Sequence, residues 1–314
     1  MRVEIVGLFA CMVCFASQVE ARSESPAPVN GKPSLEGQWA ANFTLTLEST
    51  PQTPNLVVSE SEAKTLTPVL GAAFAAFFLR GLDPEVPQLV LQSEGLPIVR
   101  GQRRTRAVVE PADGKMPYTP AALKILTSPP PPERLDNPEE RPNAERCLVG
   151  AGQPPLASII FGNELQILQF PDKVVLHTEY GDDLRVVPIT DRHAPRALWT
   201  RLGDSIGRWE GSTLVIETVG MPDADSFRIG PVMLVPGAAT VIERLTPVSQ
   251  RELLYQFTVI DPKTYAAPWK AEFSWYRTDK LMYEHACHEG NYSLPNILAG
   301  ARHEEAARRG GAAR

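Results

Sequence analysis

Residues 190–211 concentrate side chains that can move protons or bind anions. Histidine is the residue type whose reference pKa lies nearest neutrality, so His193 is a candidate general acid or base. Arg208 can stabilise an anionic or enolate oxygen, and Asp204 or Glu210 can orient the imidazole. The glycines around these residues predict a polar loop after a strand. In the alternative, purely structural interpretation, Arg208 pairs with Glu210 across a tight turn.

The amino-terminal residues indicate export. Arg2 precedes an apolar run from Ile5 to Ala16, and Val19-Glu20-Ala21 offers small residues at the spacing that a signal peptidase requires. The run is too short to span a bilayer as a permanent anchor. We therefore expect residues 1–21 to be a cleaved signal peptide, without lipidation at Cys11, and the protein to be periplasmic or secreted.

The mature chain keeps two of the four cysteines, because Cys11 and Cys14 lie in the predicted signal peptide. In an oxidising compartment two lone cysteines most simply pair, which predicts a disulfide between Cys147 and Cys287. The alternative is a pair of free, buried thiols.

Residues 283–292 form a second polar segment, Tyr283-Glu-His-Ala-Cys-His-Glu-Gly-Asn-Tyr292. Its His-x-Cys-His spacing suggests zinc, but a bridged Cys287 is no thiolate ligand, and no second cluster completes a tetrahedral set. We therefore expect no metal and no cofactor. The structural alternative is a strand end held by the disulfide, with Glu289 and Asn291 capping a turn. The candidates for ligand contacts are aromatic and polar residues: Trp39, Trp209, Glu284 and Asn291.

Three long motifs resemble those of a large family of exported bacterial proteins, which has no assigned activity. They are Asn137–Cys147, Gly203–Thr218 with its GDSxGRWEGxTLV pattern, and Tyr283–Tyr292, which is similar to YACHEGNY. The motifs recur in the same order, and the resemblance covers most of residues 100–305. The resemblance implies export and the disulfide, and it implies no mechanism.

This chain departs from the family pattern at three positions. Ser212 and Glu217 stand where members usually carry aspartate, and His285 stands where many carry tyrosine. The tyrosine argues against His285 as an essential metal ligand.

Composition and strand pattern predict a mainly β protein. Thirty prolines in 314 residues disfavour long helices, and 43% hydrophobic residues are ordinary for a globular chain with a core. Eight short apolar runs separated by turn residues indicate an antiparallel meander that closes into a barrel. These runs are Leu165–Phe170, Lys173–Tyr180, Leu184–Ile189, Ser212–Thr218, Thr240–Leu245, Glu252–Ile260, Trp269–Tyr276 and Leu281–Ala286.

The remaining segments complete the predicted organisation. A Gly-x-Trp at Gly37–Trp39 weakly resembles the opening of lipocalin-like barrels, and residues 60–80 predict the one sizeable helix. We expect a disordered leader at 22–33, a single β-rich domain at 34–303 and a flexible tail at 304–314. A net charge of −6 provides no basic field for nucleic acid, and we expect no integral membrane segment after signal cleavage.

The sequence motivates three functions. An exported barrel that binds a small, largely apolar or aromatic molecule is the first, because the strands are apolar and an eight-stranded barrel can hold one small ligand. A cofactor-free lyase, isomerase, hydratase or hydrolase that uses His193 is the second. A structural protein of the cell envelope is the third. The chain contains no P-loop, Gly-x-Gly-x-x-Gly or His-Glu-x-x-His motif, which weakens the common nucleotide and zinc enzymes.

Overall fold

The computed structural model describes residues 28–41, 46–78, 95–128, 136–141, 145–148, 150–156, 164–223, 227–228 and 233–311. The predicted signal peptide, and with it Cys11, lies outside these ranges. Within them strands outweigh helices, as the composition predicts.

The strands and helices of the described chain have the following bounds. The strands are β1 Gly37–Ala41, β2 Val57–Val58, β3 Ile98–Val99, β4 Gln102–Arg104, β5 Val108–Glu110, β6 Glu164–Gln169, β7 Lys173–Thr178, β8 Asp183–Pro188, β9 Asp204–Glu210, β10 Thr213–Val219, β11 Phe227–Arg228, β12 Met233–Leu234, β13 Thr240–Pro247, β14 Glu252–Ile260 and β15 Trp269–Arg277. The α-helices are α1 Glu60–Phe78, α2 Pro120–Thr127, α3 Cys287–Gly290 and α4 Ser293–Gly311.

Ten of these strands form one large sheet. Its order is β8-β7-β6-β1-β15-β14-β13-β10-β9, with β5 paired to β15, and these strand pairs are antiparallel. The two ends of the sheet meet where Ile189, just after β8, forms a parallel bridge with Gly207 of β9. The sheet is thereby nearly closed into a barrel, which confirms the predicted fold class.

Period-two alternation gives the barrel an apolar interior. In β14 the alternate residues Leu253, Tyr255 and Phe257 are buried, and β15 places Trp275 and Phe273 opposite the first two. Burying such side chains contributes about 1.5–3 kcal/mol each, and a slip of one residue would turn all of them to solvent. The alternation therefore fixes the register of the barrel.

Trp39 closes one part of the barrel wall between β6 and β15. Its indole N–H donates to the Leu35 carbonyl at 2.9 Å, and the Arg277 guanidinium lies 4.4 Å above the ring. Gly37 has a φ of 132°, which side chains with a Cβ rarely adopt, and a Cβ there would also lie 2.1 Å from an Arg277 nitrogen. The Gly-x-Trp sequence thus provides the space for an arginine that covers the tryptophan.

A smaller unit packs beside the barrel. It consists of α1 and the three-stranded sheet β2-β4-β3, and its apolar contacts include Ala63, Leu70 and Leu96. A surface cleft of about 500 Å³ lies between the start of α1 and the preceding segment, lined in part by Gln52, Asn55 and Glu62.

Three local expectations differ from the structure. Residues 204–210 are strand β9 rather than a loop. One inward position of this strand is Gly207, which has no side chain and so adds nothing to an apolar pattern. Val187 and Ile189 fill the space beside it. Residues 281–286 form no strand, since β15 already has neighbours on both sides. The sequence predicts one sizeable helix, at residues 60–80, but the described chain has a second long helix, α4, which extends to Gly311. Ion pairs on its surface include Arg308 with Glu304 at 3.2 Å.

Candidate functional site

Two of the predicted catalytic residues, His193 and Asp204, lie together on the outer wall of the barrel. Ring nitrogen Nδ1 of His193 is 2.6 Å from Oδ2 of Asp204, which also accepts the Ala194 N–H at 3.1 Å. Nε2 of His193 lies 3.3 Å from Oε1 of Glu217. Asp204 begins β9 and Glu217 lies on β10, both at outward-facing positions beside buried inward neighbours. A half-buried histidine therefore sits between two carboxylates.

Glu217 was not among the sequence candidates for this site. The signal that could have found it is strand alternation, since Glu217 is the polar member between Ile216 and Thr218, which are both buried. A carboxylate on Nδ1 fixes the orientation of an imidazole, which is one requirement of general acid–base chemistry.

The other two predicted catalytic residues pair with each other. Arg208 donates to Glu210 at 3.0 Å, and Arg244 on β13 reaches the same carboxylate at 2.8 Å. The hydrogen bond from Arg244 is the main cause that lowers the pKa of Glu210, with Arg208 adding to it. Arg208 lies four residues from Asp204 along β9, about 13 Å between Cα atoms. This ion-pair group is exposed and lies apart from the histidine.

The predicted ligand contacts occupy different parts of the molecule. Trp39 is in the core under Arg277, and Trp209 is half-buried against the core. Glu284 is exposed on the segment after β15. Asn291 donates to the Glu145 carbonyl at 2.7 Å and accepts the Leu294 N–H at the start of α4.

The predicted disulfide between Cys147 and Cys287 is present, with 5.7 Å between the Cα atoms. It attaches α3 to the segment around residue 147. Arg302 of α4 reinforces that connection through a hydrogen bond to the Asp136 carbonyl at 2.8 Å. The carboxy-terminal helices are thereby held against the middle of the chain.

The barrel interior contains an ion pair that sequence analysis did not identify. Arg185 of β8 donates two hydrogen bonds, of 2.7 and 2.9 Å, to Glu243 of β13, and the two side chains are 2% and 0% exposed. Tyr255 of β14 donates its hydroxyl to the same carboxylate at 2.7 Å. Burial raises the pKa of Tyr255 well above its usual value, so the phenol stays neutral. The sequence signal that could have indicated this ion pair is a charged residue on the apolar face of an alternating strand, as at Glu243 between Val241 and Leu245.

Residues 150–156, called here the inserted segment, enter the barrel at the Asp183 end. The Gly150 and Gly152 N–H groups donate to Oδ2 of Asp183 at 2.7 and 3.0 Å. Leu156 is 1% exposed, and its N–H donates to the Tyr255 hydroxyl at 2.7 Å. Because Asp183 lies on β8 and Tyr255 on β14, four neighbouring strands away in the barrel order, the segment crosses the interior from one wall to another.

Gly150 and Gly152 allow the inserted segment to approach the wall this closely. A Cβ on Gly152 would lie 2.4 Å from the Cβ of Asp183, and one on Gly150 would lie 2.0 Å from the Tyr180 carbonyl oxygen. Neither atom can move easily, because Asp183 belongs to the sheet and the other atom is backbone. Both positions therefore require glycine for packing.

Asp183 makes the stability of this end depend on pH. Burial raises its pKa above the ordinary value, in opposition to the Gly150 and Gly152 N–H groups and Arg185, which lower it. The folded state thus holds the proton more tightly than the unfolded chain, so the stabilising contribution present at low pH is lost as pH rises through the folded pKa.

We expect Asp183→Asn, which keeps the acceptor oxygen, to remove that loss. Urea unfolding from about pH 3 to pH 7 should show that the free energy of unfolding of the variant increases relative to that of the wild type as pH rises. A difference in free energy that stays constant with pH contradicts this.

No group of three or more His, Cys, Asp or Glu side chains in the described ranges is arranged to hold a metal ion. None of the helices in those ranges combines the length and hydropathy of a membrane-spanning segment. Comparisons with protein-family models, with curated proteins and with solved structures find no match. The nearly closed barrel is consistent with a binding protein, because barrels of about this size can hold one small ligand.

Proposed function

We propose that this protein is an exported binding protein for a small, largely apolar or aromatic molecule, which it takes up at the Asp183 end of the barrel. One observation carries the proposal: a loop, the inserted segment, fills this end of the interior, where strand side chains would otherwise meet. The Cys147–Cys287 disulfide supports export, because such bonds persist in oxidising compartments.

The surroundings of the inserted segment have the composition of a ligand site. Small-molecule sites combine apolar and aromatic walls with a few well-positioned polar groups. Tyr255 and Phe273 supply aromatic rings with centroids 4.9 Å apart, and Phe257 lies 5.8 Å from Tyr255. Arg185 and Glu243 supply the fixed polar groups. A ligand that binds among these residues competes with the inserted segment for the same space.

Competition makes Gly152→Ala an informative variant. The added Cβ would lie 2.4 Å from Asp183 Cβ, so it should push the inserted segment out of the barrel. We expect the variant to unfold more easily and yet to bind an apolar aromatic probe, N-phenyl-1-naphthylamine, at least about fivefold more tightly, because less of the binding energy is lost in displacing the segment. Probe fluorescence measures the affinity, and urea unfolding measures the stability.

Gly300→Ala is the matched control, because a Cβ on Gly300 of α4 meets no atom within 4 Å. It should leave the probe affinity unchanged. The proposal fails if the wild type and Gly152→Ala both leave the probe unbound, in which case the structural interpretation remains. It also fails if bound probe perturbs only the cleft beside α1 around Asn55 and Glu62.

A second candidate function, cofactor-free acid–base catalysis, is favoured by the position of His193 between Asp204 and Glu217. Under this hypothesis His193→Ala should lower hydrolysis of p-nitrophenyl acetate at least about tenfold, which is within the usual contribution of a general base. The melting temperature should stay within a few degrees. His303→Ala, on the exposed face of α4, is the control and should change neither quantity. A large fall in melting temperature for His193→Ala with unchanged hydrolysis would assign His193 to fastening its loop.

A further inference from the structure

Two buried polar atoms near the inserted segment have no hydrogen-bond partner in the described chain: Oγ1 of Thr178 and Nε of Arg185. The two residues are 2% and 3% exposed. In native proteins nearly every buried polar atom has a partner, so each exception calls for an explanation.

The two atoms belong to neighbouring positions on one inward-facing patch. Thr178 of β7 lies directly opposite Asp183 of β8, and Arg185 is the next inward residue of β8 after Asp183. A Cβ on Gly152 would lie 3.1 Å from the Thr178 hydroxyl, so the inserted segment covers the part of this patch that Thr178 and Asp183 form. A molecule that replaced the segment would face the Thr178 hydroxyl, and Arg185 occupies the adjacent inward position.

The charges of the patch restrict what that molecule can be. The guanidinium of Arg185 is already matched by the carboxylate of Glu243, and Asp183 adds a second carboxyl group at the same end. An anionic ligand would therefore meet excess negative charge. The N–H at Arg185 Nε needs a hydrogen-bond acceptor, and the Thr178 hydroxyl can donate to an acceptor as well.

From this patch we infer that the ligand of the barrel carries a neutral hydrogen-bond acceptor, of the carbonyl type, on its apolar or aromatic body. The inference rests on the proposed binding function and specifies its ligand class. The carbonyl oxygen accepts from Arg185 Nε and from the Thr178 hydroxyl, while the body packs against the aromatic rings of Tyr255 and Phe273. Thr178 and Arg185 thus determine specificity, and the aromatic wall supplies most of the contact area.

The test compares three probes of nearly equal size: acetophenone, which carries a carbonyl; ethylbenzene, which does not; and benzoate, which is anionic. Each is titrated against the full-length mature protein that holds N-phenyl-1-naphthylamine. We expect acetophenone to displace that probe at least about fivefold more effectively than ethylbenzene or benzoate. In Thr178→Val, which keeps the shape of the side chain without the hydroxyl, the preference for acetophenone should shrink, and the stability of the unliganded protein should not fall.

The outcomes separate the inference from the function on which it rests. Equal displacement by acetophenone and ethylbenzene, or stronger displacement by benzoate, overturns the inference and leaves small-molecule binding intact. An unchanged acetophenone preference in Thr178→Val also overturns it, as does a loss of stability in that variant, which would mean that an ordered water already satisfies the hydroxyl. Failure of N-phenyl-1-naphthylamine itself to bind, in the wild type and in Gly152→Ala, contradicts the proposed function.

Discussion

Replacing Glu243 by alanine should lower the free energy of unfolding by about 3–5 kcal/mol, because the variant leaves the buried guanidinium of Arg185 without its counter-charge. The ion pair spans the barrel from β8 to β13, with both side chains almost fully buried. The substitution also removes the acceptor of the Tyr255 hydroxyl. Urea unfolding followed by tryptophan fluorescence measures the change.

Two comparisons make this expectation specific to a buried charge. Glu110→Ala breaks an ion pair with Lys270 in which the side chains are 60% and 48% exposed, and it should cost no more than about 1 kcal/mol. The double variant Arg185→Met with Glu243→Leu removes both charges, so it should recover much of the loss seen in Glu243→Ala. Equal effects of Glu243→Ala and Glu110→Ala would contradict the role assigned to the ion pair.

Removing the disulfide should have an effect of similar size. Cys147 and Cys287 are separated by 140 residues, and the loop-entropy model assigns a crosslink of that span up to about 4–5 kcal/mol. We expect the Cys147→Ser/Cys287→Ser protein to unfold at lower urea concentration than the oxidised wild type. Its α3 and α4 should also exchange amide hydrogens faster, because they lose their covalent attachment.

Reductant provides the control for the cysteine variant. It should shift the urea midpoint of the wild type toward that of Cys147→Ser/Cys287→Ser and leave the variant itself unchanged. If oxidised and reduced wild type unfold at the same urea concentration, the crosslink contributes nothing to stability and the loop-entropy argument does not apply to this chain.

Local pattern was sufficient to predict most of the barrel. Strands β6, β7 and β8 follow from alternation and from the Pro171-Asp172 turn, since their pairing is between sequence neighbours. Strand β9 was missed, because two of its inward positions, Ser205 and Gly207, carry small side chains, which leaves Trp209 as a single apolar residue without a period. The carboxy-terminal strand was predicted from Leu281–Ala286, but sheet closure leaves β15 no free edge for it. That outcome depends on the whole sheet and not on any local pattern.

The sites were predictable only in part, for a related reason. Sequence proximity indicated that His193 and Asp204 belong together, and they do. The Arg185–Glu243 pair joins residues 58 positions apart across the barrel, so only the register of distant strands brings them together. The inserted segment reads as an ordinary proline- and glycine-containing loop, and its burial appears only once Asp183 and Tyr255 are in place on opposite walls.

Hydrogen exchange of single amides shows whether a ligand displaces the inserted segment. In the unliganded protein the amides of Gly150, Gly152 and Leu156 should be protected, because they donate to Asp183 and Tyr255. Saturation with N-phenyl-1-naphthylamine should make these three amides exchange as exposed loops do, while the amides between β13 and β14 stay protected. If the probe binds and the three amides remain as protected as before, the ligand does not replace the segment and the account is wrong.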